Sequence, residues 1–270
     1  MKRYYDSKNN RLVYYGYKAD PIYWDAHWKM DNFSETIKKK NNSFIVKTTK
    51  AYLSGNARII DGGCGSGDKV CALHKHGFEA YGVDFAEKTV GMIHTYLPEI
   101  NVSLGDVRQL DFPDLYFDGY WSLGVIEHFF DGYEHIIREI YRVLRPGGFL
   151  FLTVPEMSKY RKFLAKKGKF LDESDVQLNH ELFYQFAYSP EHIKKTITKS
   201  GFELIRYTPI EGVKGFKDDT TKFKGVFQWI YNHPSLPVKA LKRSLDIVMS
   251  PFTGHSGLYI FQKLKGITKK

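Results

Sequence analysis

The chain has 270 residues, enough for one large α/β domain with additions or for two small domains. Hydrophobic residues make up 43% and charged residues 26%, which excludes a disordered chain, and no apolar run approaches the ~18 residues of a membrane span. Two cysteines, Cys64 and Cys71, are too few for a disulfide framework or a four-ligand zinc site, so no metal is expected and a reducing compartment is the default.

Residues 1–56 precede any strand–helix alternation and read as an N-terminal helical cap segment over the ligand edge of a sheet. Their first 18 residues are polar and tyrosine-rich without the apolar stretch of a signal peptide, and a cytoplasmic protein is expected. The alternation starts at Arg58. Ala57 to Asp61 is an apolar run closed by an acid and glycines, and Asp68 to His76 is compatible with a helix. Glu79 to Val83 reads as a second strand and Phe85 to Tyr96 as a second helix. Asn101 to Leu104 and Phe117 to Leu123 are the third and fourth strands. Ile136, Ile137, Ile140, Val143 and Leu144 recur at helical spacing, and Arg145-Pro-Gly-Gly148 stops that helix. Phe149 to Val154 is a continuous apolar run, as a strand covered on both faces should be. Such alternation implies a doubly wound, mostly parallel sheet with right-handed crossovers.

Beyond Pro155 the pattern loosens. Residues 156–187 are basic and aromatic and read as a cap segment. Ser189-Pro190 is a helix start with Ser at the N-cap and Pro at the first turn. Phe202 to Tyr207 is a strand, residues 211–250 an insertion, and Gly257 to Leu264 the last strand. Within the insertion, Val238, Leu241, Leu245 and Val248 form one helical stripe, expected to pack on its own domain.

Charge divides unevenly. Residues 57–154 hold 8 Lys/Arg against 14 Asp/Glu, and the rest of the chain holds 32 against 16. An acidic core with basic additions suits an anionic acceptor, RNA or an acidic membrane surface.

Three carboxylates fall at the carboxyl ends of successive strands, where open α/β sheets bind ligands. Asp61 opens the turn Asp61-Gly-Gly-Cys-Gly-Ser-Gly67. Its glycines at 63, 65 and 67 permit positive φ and close backbone approach to a ligand. The spacing Gly-x-Gly-x-Gly differs from the Gly-x-Gly-x-x-Gly that cradles a pyrophosphate. Asp84 ends the second strand, where a carboxylate can accept two ribose hydroxyls, and Phe85 can lie against an adenine face. Asp106 follows the third strand with Val107 beside it, placed to accept the adenine amino hydrogen.

The ordered set Asp61–Gly67, Val83-Asp84, Gly105-Asp106, Leu123-Gly-Val-Ile-Glu-His128 and Leu144-Arg-Pro-Gly-Gly148 resembles class I S-adenosylmethionine-dependent methyltransferases, closest to their small-molecule and lipid-modifying branch. The resemblance is strong over residues 57–154 and weak through Tyr188 to Phe202. It implies a methyltransferase domain over residues 57–270, a Rossmann-like sheet of seven strands with the last one antiparallel, and S-adenosylmethionine as cofactor, leaving as S-adenosylhomocysteine. Carried over residue by residue, it places Gly63, Cys64 and Gly65 against the methionine part, with Asp61 bracing the loop or reaching the amine. Asp84 would hold the ribose, with Phe85 beside the base. Asp106 and Val107 would hold the adenine, and Leu123 and Gly124 would floor the sulfonium. Trp24, in Tyr23-Trp-Asp-Ala-His-Trp28, resembles an aromatic element that closes over the cofactor. Two departures stand out. Gly62 replaces a residue that is often apolar, and the insertion between the last two strands is long.

An acceptor hydroxyl would need its proton removed. His128 is the base expected by location, Glu127 could orient it, and His27 and His180 are weaker candidates. The expected acceptor is a small or lipid-linked molecule, an anionic one suiting the basic additions, with peripheral membrane contact as a partner option. An RNA-modifying enzyme and a non-catalytic cofactor-binding protein are the alternatives, and oligomeric state is not legible.

Overall fold

A computed structural model describes residues 1–29, 31–40, 42–175 and 179–265. It opens with β1 (Lys2–Asp6) and β2 (Arg11–Tyr15), then α1 (Pro21–His27), α2 (Phe33–Lys39) and α3 (Ser43–Lys50). The alternating part follows as β3 (Arg58–Gly62), α4 (Asp68–Lys75), β4 (Glu79–Asp84), α5 (Glu87–Tyr96), β5 (Asn101–Leu104), β6 (Phe117–Leu123), α6 (Glu134–Val143) and β7 (Leu144–Pro155). Next come α7 (Lys159–Lys166), β8 (Leu171–Asp172), β9 (Phe183–Ala187), α8 (Pro190–Lys199) and β10 (Phe202–Ile210). The chain closes with α9 (Gly212–Asp219), α10 (Lys224–Asn232), α11 (Leu236–Thr253) and β11 (Ser256–Lys263).

Seven strands form the main sheet in the order β10-β11-β7-β6-β3-β4-β5. The neighbours from β7 to β5 run parallel, and β11 inserts antiparallel between β7 and β10. The expected doubly wound sheet with an antiparallel last strand is therefore present. Its two faces are covered because side chains alternate along each strand. Ile60, Tyr120, Leu150 and Leu152 point to one core, together with Ile136, Ile137, Ile140 and Val143 of α6. Ile59, Trp121 and Phe151 point to the other, with Val70 of α4 and Ile93 of α5. Trp121 Nε1 donates to Thr49 Oγ1 at 3.0 Å, tying α3 under the sheet.

Gly62, the departure from the family pattern, has a local cause. A Cβ built there would collide with the hydroxyl and ring of buried Tyr120 on the neighbouring strand β6. The small residue and the large one are therefore a matched pair.

The N-terminal segment corrects the expectation of an all-helical cap. β1 and β2 form a hairpin, and a four-stranded second sheet assembles in the order β8-β1-β2-β9. The sequence Lys-Arg-Tyr-Tyr followed by a polar turn and Arg-Leu-Val-Tyr-Tyr is rich in residues that suit half-buried strands. Tyr4, Tyr14 and Tyr15 of these strands are buried. Helices α1 to α3 supply the helical remainder.

The cap is fastened by one buried cation. Arg161 of α7 is fully buried and donates to Asp219 of α9 at 2.7 Å and to the Glu156 carbonyl at 2.8 Å. Arg3 of β1 reaches the same Asp219. Removing one partner of a buried pair strands a charge at ~3–5 kcal/mol, so α7 and α9 are tied to the N-terminal hairpin through Asp219.

Candidate functional site

The carboxyl edge of the sheet is built around the turn after β3. Gly63, Gly65 and Gly67 have φ of 79°, 51° and 73°, a region that L side chains avoid. Gly63 N and Cys64 N both donate to the Val83 carbonyl, at 2.8 and 3.1 Å. Asp84, at the end of β4, accepts from Gly65 N at 2.7 Å and from Ala86 N at 2.9 Å. Burial raises the Asp84 carboxyl above its usual range, although these backbone bonds favour the anion.

A cavity of about 460 Å³ opens at this edge. Gly63, Asp84, Phe85, Asp106 and Val107 line one part of it, and Leu123, Gly124, His128 and Trp24 another. The sequence-expected residues of four strand ends thus meet at one cavity. Three expected contacts lie outside it. Gly65 does not line it, and the Trp28 indole fills the space beside it. Cys64 is 1% exposed and its sulfur packs inward against Gly82, so only its backbone can face a ligand. Asp61 is 1% exposed, does not line the cavity, and has no hydrogen-bond partner on either carboxylate oxygen. Burial raises it to about 7, with Lys69 opposing and Asp68 and Asp84 adding to the rise. Asp106 lines the cavity but is claimed by Arg108, with contacts of 2.5 to 3.0 Å to its guanidinium. Burial would raise its pKa, and the Arg108 bonds hold it below the usual range instead.

The N-terminal aromatic helix lies on this edge. Asp25 Oδ1 accepts from Thr89 N at 2.9 Å and Thr89 Oγ1 at 3.0 Å, which pins α1 to α5. Trp24 meets His128 edge-on, with ring centroids 5.2 Å apart. Trp28, at the end of the same aromatic element, has its indole 2.5 Å from where a Gly65 Cβ would be. The i, i+4 spacing places it beside Trp24 on one helix face.

His128 Nδ1 lies 2.7 Å from the Tyr184 carbonyl. A carbonyl only accepts, so Nδ1 carries the proton and Nε2 is left as the acceptor. The group orienting His128 is therefore Tyr184 of β9, not Glu127 as expected. Burial pushes His128 down to about 4, against the Tyr184 bond, so the imidazole is neutral at physiological pH. Glu127 is 2% exposed, its Oε2 has no hydrogen-bond partner, and burial raises it to about 8. His27 is exposed and stacks on Tyr23. The His180 side chain lies outside the described residues.

A family described as a methyltransferase domain matches residues 60–152. The chain is 28% identical over 111 residues to a probable S-adenosylmethionine-dependent methyltransferase of Mycolicibacterium smegmatis, covering 41% of this chain and 43% of that protein. It is 32% identical over 141 residues to the 27-O-demethylrifamycin SV methyltransferase of Amycolatopsis mediterranei, covering 48% and 52%. The chain thus spans about half the length of these two curated relatives. The Burkholderia thailandensis 1,6-didemethyltoxoflavin-N1-methyltransferase, solved with S-adenosylhomocysteine bound, shares the fold with a TM-score of 0.53 at 14% identity, covering 98% of this chain and 100% of that one. Residues 60–152 therefore carry the match to a methyltransferase domain, the kind of domain that the Mycolicibacterium relative's name pairs with S-adenosylmethionine.

The residues present fit that cofactor. The cavity has a carboxylate for paired hydroxyls in Asp84, apolar walls in Phe85 and Val107, and the Gly63 backbone of the turn on its lining. The orphaned oxygens of Asp61 supply a buried acid at the same turn, suited to an ammonium.

Asp84→Ala should weaken S-adenosylhomocysteine binding roughly tenfold to a hundredfold, since hydrogen bonds to a charged group are worth about 1.5–3 kcal/mol. Calorimetry on the folded variant checks this, and unchanged affinity would remove Asp84 from the cofactor site.

Proposed function

We propose that the chain transfers a methyl group from S-adenosylmethionine to a small or lipid-linked acceptor that carries negative charge. The observation that carries the reading is that Leu123 and Gly124 wall three cavities at once: the 460 Å³ cavity and two others of about 900 and 270 Å³. A cofactor compartment and acceptor compartments meeting at one floor is the arrangement that methyl transfer requires.

The cofactor supplies an electrophilic methyl on a sulfonium. The protein's task is then positioning and exclusion of water, and alignment is worth up to ~7–11 kcal/mol. Trp24, Trp28 and Tyr184 close the floor from above with low-entropy aromatic walls. His128 Nε2 accepts the acceptor's O–H or N–H and orients its lone pair. With a pKa near 4 it is a weak base before reaction. A hydroxyl oxygen turns strongly acidic as it gains the methyl group, so a weak base suffices if the proton leaves late.

His128 should therefore stay neutral, with the proton on Nδ1, from about pH 8 down to about pH 5, where an ordinary histidine would titrate. Nitrogen-15 chemical shifts of the imidazole read this directly. His128→Ala should cut labelled-methyl transfer to a panel of phenols and hydroxy acids by on the order of 10²-fold or more, with cofactor affinity kept. Titration of His128 near pH 6.5, or full turnover in the variant, would remove it from this role.

The lipid-linked reading is supported by α11. Its expected stripe is only half covered: Val238 and Leu245 are half-buried, while Leu241 and Val248 are exposed. Leu236, Ile247, Val248 and Phe252 stand 81%, 72%, 70% and 59% open, and Trp229 of α10 stands 56% open. Lys239 and Arg243 are exposed on the same helix, and Lys159 caps the Phe252 ring at 5.0 Å. Apolar and aromatic side chains flanked by basic ones suit an anionic bilayer surface. Arg243 and Ile247 also wall the 900 Å³ cavity, which leads from this face to Leu123 and Gly124. No helix among the described residues is long and apolar enough to cross a membrane. The protein should float with phosphatidylcholine–phosphatidylglycerol vesicles, not with phosphatidylcholine alone, and less after Trp229→Ser and Val248→Ser. Absence of flotation with the anionic vesicles at low salt would overturn the surface reading.

A further inference from the structure

The 270 Å³ cavity has an unusual electrostatic balance. It shares Trp24, Trp28, Leu123, Gly124 and His128 with the cofactor cavity, so it lies directly across the methyl-transfer floor. Its far wall comes from the late part of the chain, where Lys214 of α9 and His255 before β11 enter. Lys214 is the one lysine or arginine on that wall among the described residues, and the one acid there is Glu127.

Those two groups do not neutralise each other. Glu127 titrates at about 8 because burial disfavours its anion, so it is mostly a neutral carboxylic acid at pH 7. The imidazoles of His128 and His255 are held neutral, each chiefly by burial, with His255 pushed further down by the cations Arg161 and Lys214. Lys214 is lowered by burial and partly restored by Glu211 and Asp218. Neither acid pairs with it. Glu211 accepts from Ser256 Oγ at 3.1 Å, and Asp218 is bound to Lys217 at 2.7 Å. No hydrogen bond or ion pair to the Lys214 ammonium occurs among the described residues, whereas its neighbour Lys217 has both. The ammonium is half-buried with three donors and faces the cavity, so an anion entering there would meet donors that no protein group among the described residues occupies.

We infer that Lys214 is the anchor of an acceptor subsite that takes one carboxylate or phosphate group, holding the nucleophilic atom of the same molecule over Leu123 and Gly124 beside His128. This rests on the reading of Leu123–Gly124 as the methyl-transfer floor and narrows the acceptor to a monoanionic or phosphorylated small molecule. Specificity would follow from the asymmetry of polar recognition. An analogue with a neutral group in place of the anion leaves the ammonium unpaired, which discriminates far more strongly than a missing methylene.

The test uses the full chain loaded with S-adenosylhomocysteine and three probes: 4-hydroxybenzoate, phenyl phosphate and the neutral 4-hydroxybenzamide. Calorimetry should find at least one anion binding tenfold or more tightly than the amide, and which anion it is separates a carboxylate subsite from a phosphate subsite. Lys214→Met should erase that preference, Lys214→Arg should keep most of it, and S-adenosylhomocysteine affinity should be the same in all three proteins. Equal binding of amide and anions, no binding of either anion to the loaded parent, or retained preference in Lys214→Met would overturn the subsite. A failure of S-adenosylhomocysteine itself to bind would instead overturn the cofactor reading, and this inference with it.

Discussion

The site depends on the bridge that Asp84 makes between two strand ends. Its carboxylate holds Gly65 N on one side and Ala86 N on the other, while the Val83 carbonyl takes Gly63 N and Cys64 N. These bonds fix a turn whose three glycines sit at positive φ, a conformation that no other residue type would hold without strain. Once that turn is fixed, the cavity wall, the start of α4 and the spacing between β3 and β4 follow. The carboxylate is thus a scaffold at the cavity wall, and removing it costs local order.

Around this constraint the additions join the two apolar cores of the sheet and are positioned by a few polar contacts. Asp25 pins the aromatic helix to Thr89, Tyr184 orients His128, and Arg161 gathers α7, α9 and the N-terminal hairpin through Asp219. Each contact joins segments far apart in sequence, so the proposed acceptor side is assembled by tertiary structure. Its chemistry differs from the strand-end side: aromatic walls, a neutral imidazole, a neutral carboxylic acid and an ammonium with no partner among the described residues.

That difference explains what the sequence disclosed. The sheet was legible because β3 to β7 and their helices carry strong periodicity and their turns carry glycines and acids at fixed offsets. Asp84, Phe85, Asp106, Val107, Leu123 and Gly124 could be placed because each lies at a strand end, one or two residues from a recognisable run. The hairpin at residues 2–15 was missed because its two strands are short and lie outside the strand–helix alternation, and strand pairing with residues 183–187 has no local signature. Lys214 was not singled out for the same reason: nothing beside it in sequence says what it faces. Glu127 next to His128 suggested an orienting pair, but adjacent residues in a tight turn point apart, and the partner came from β9.

The central claim is that the strand-end cavity is an S-adenosylmethionine site. Native mass spectrometry of the protein purified without added ligand, then supplied with S-adenosylmethionine, tests it most directly. The account predicts one equivalent of S-adenosylmethionine or S-adenosylhomocysteine per chain, displaced by excess of the other. A protein that stays ligand-free after saturation with both, while folded by circular dichroism, would contradict it.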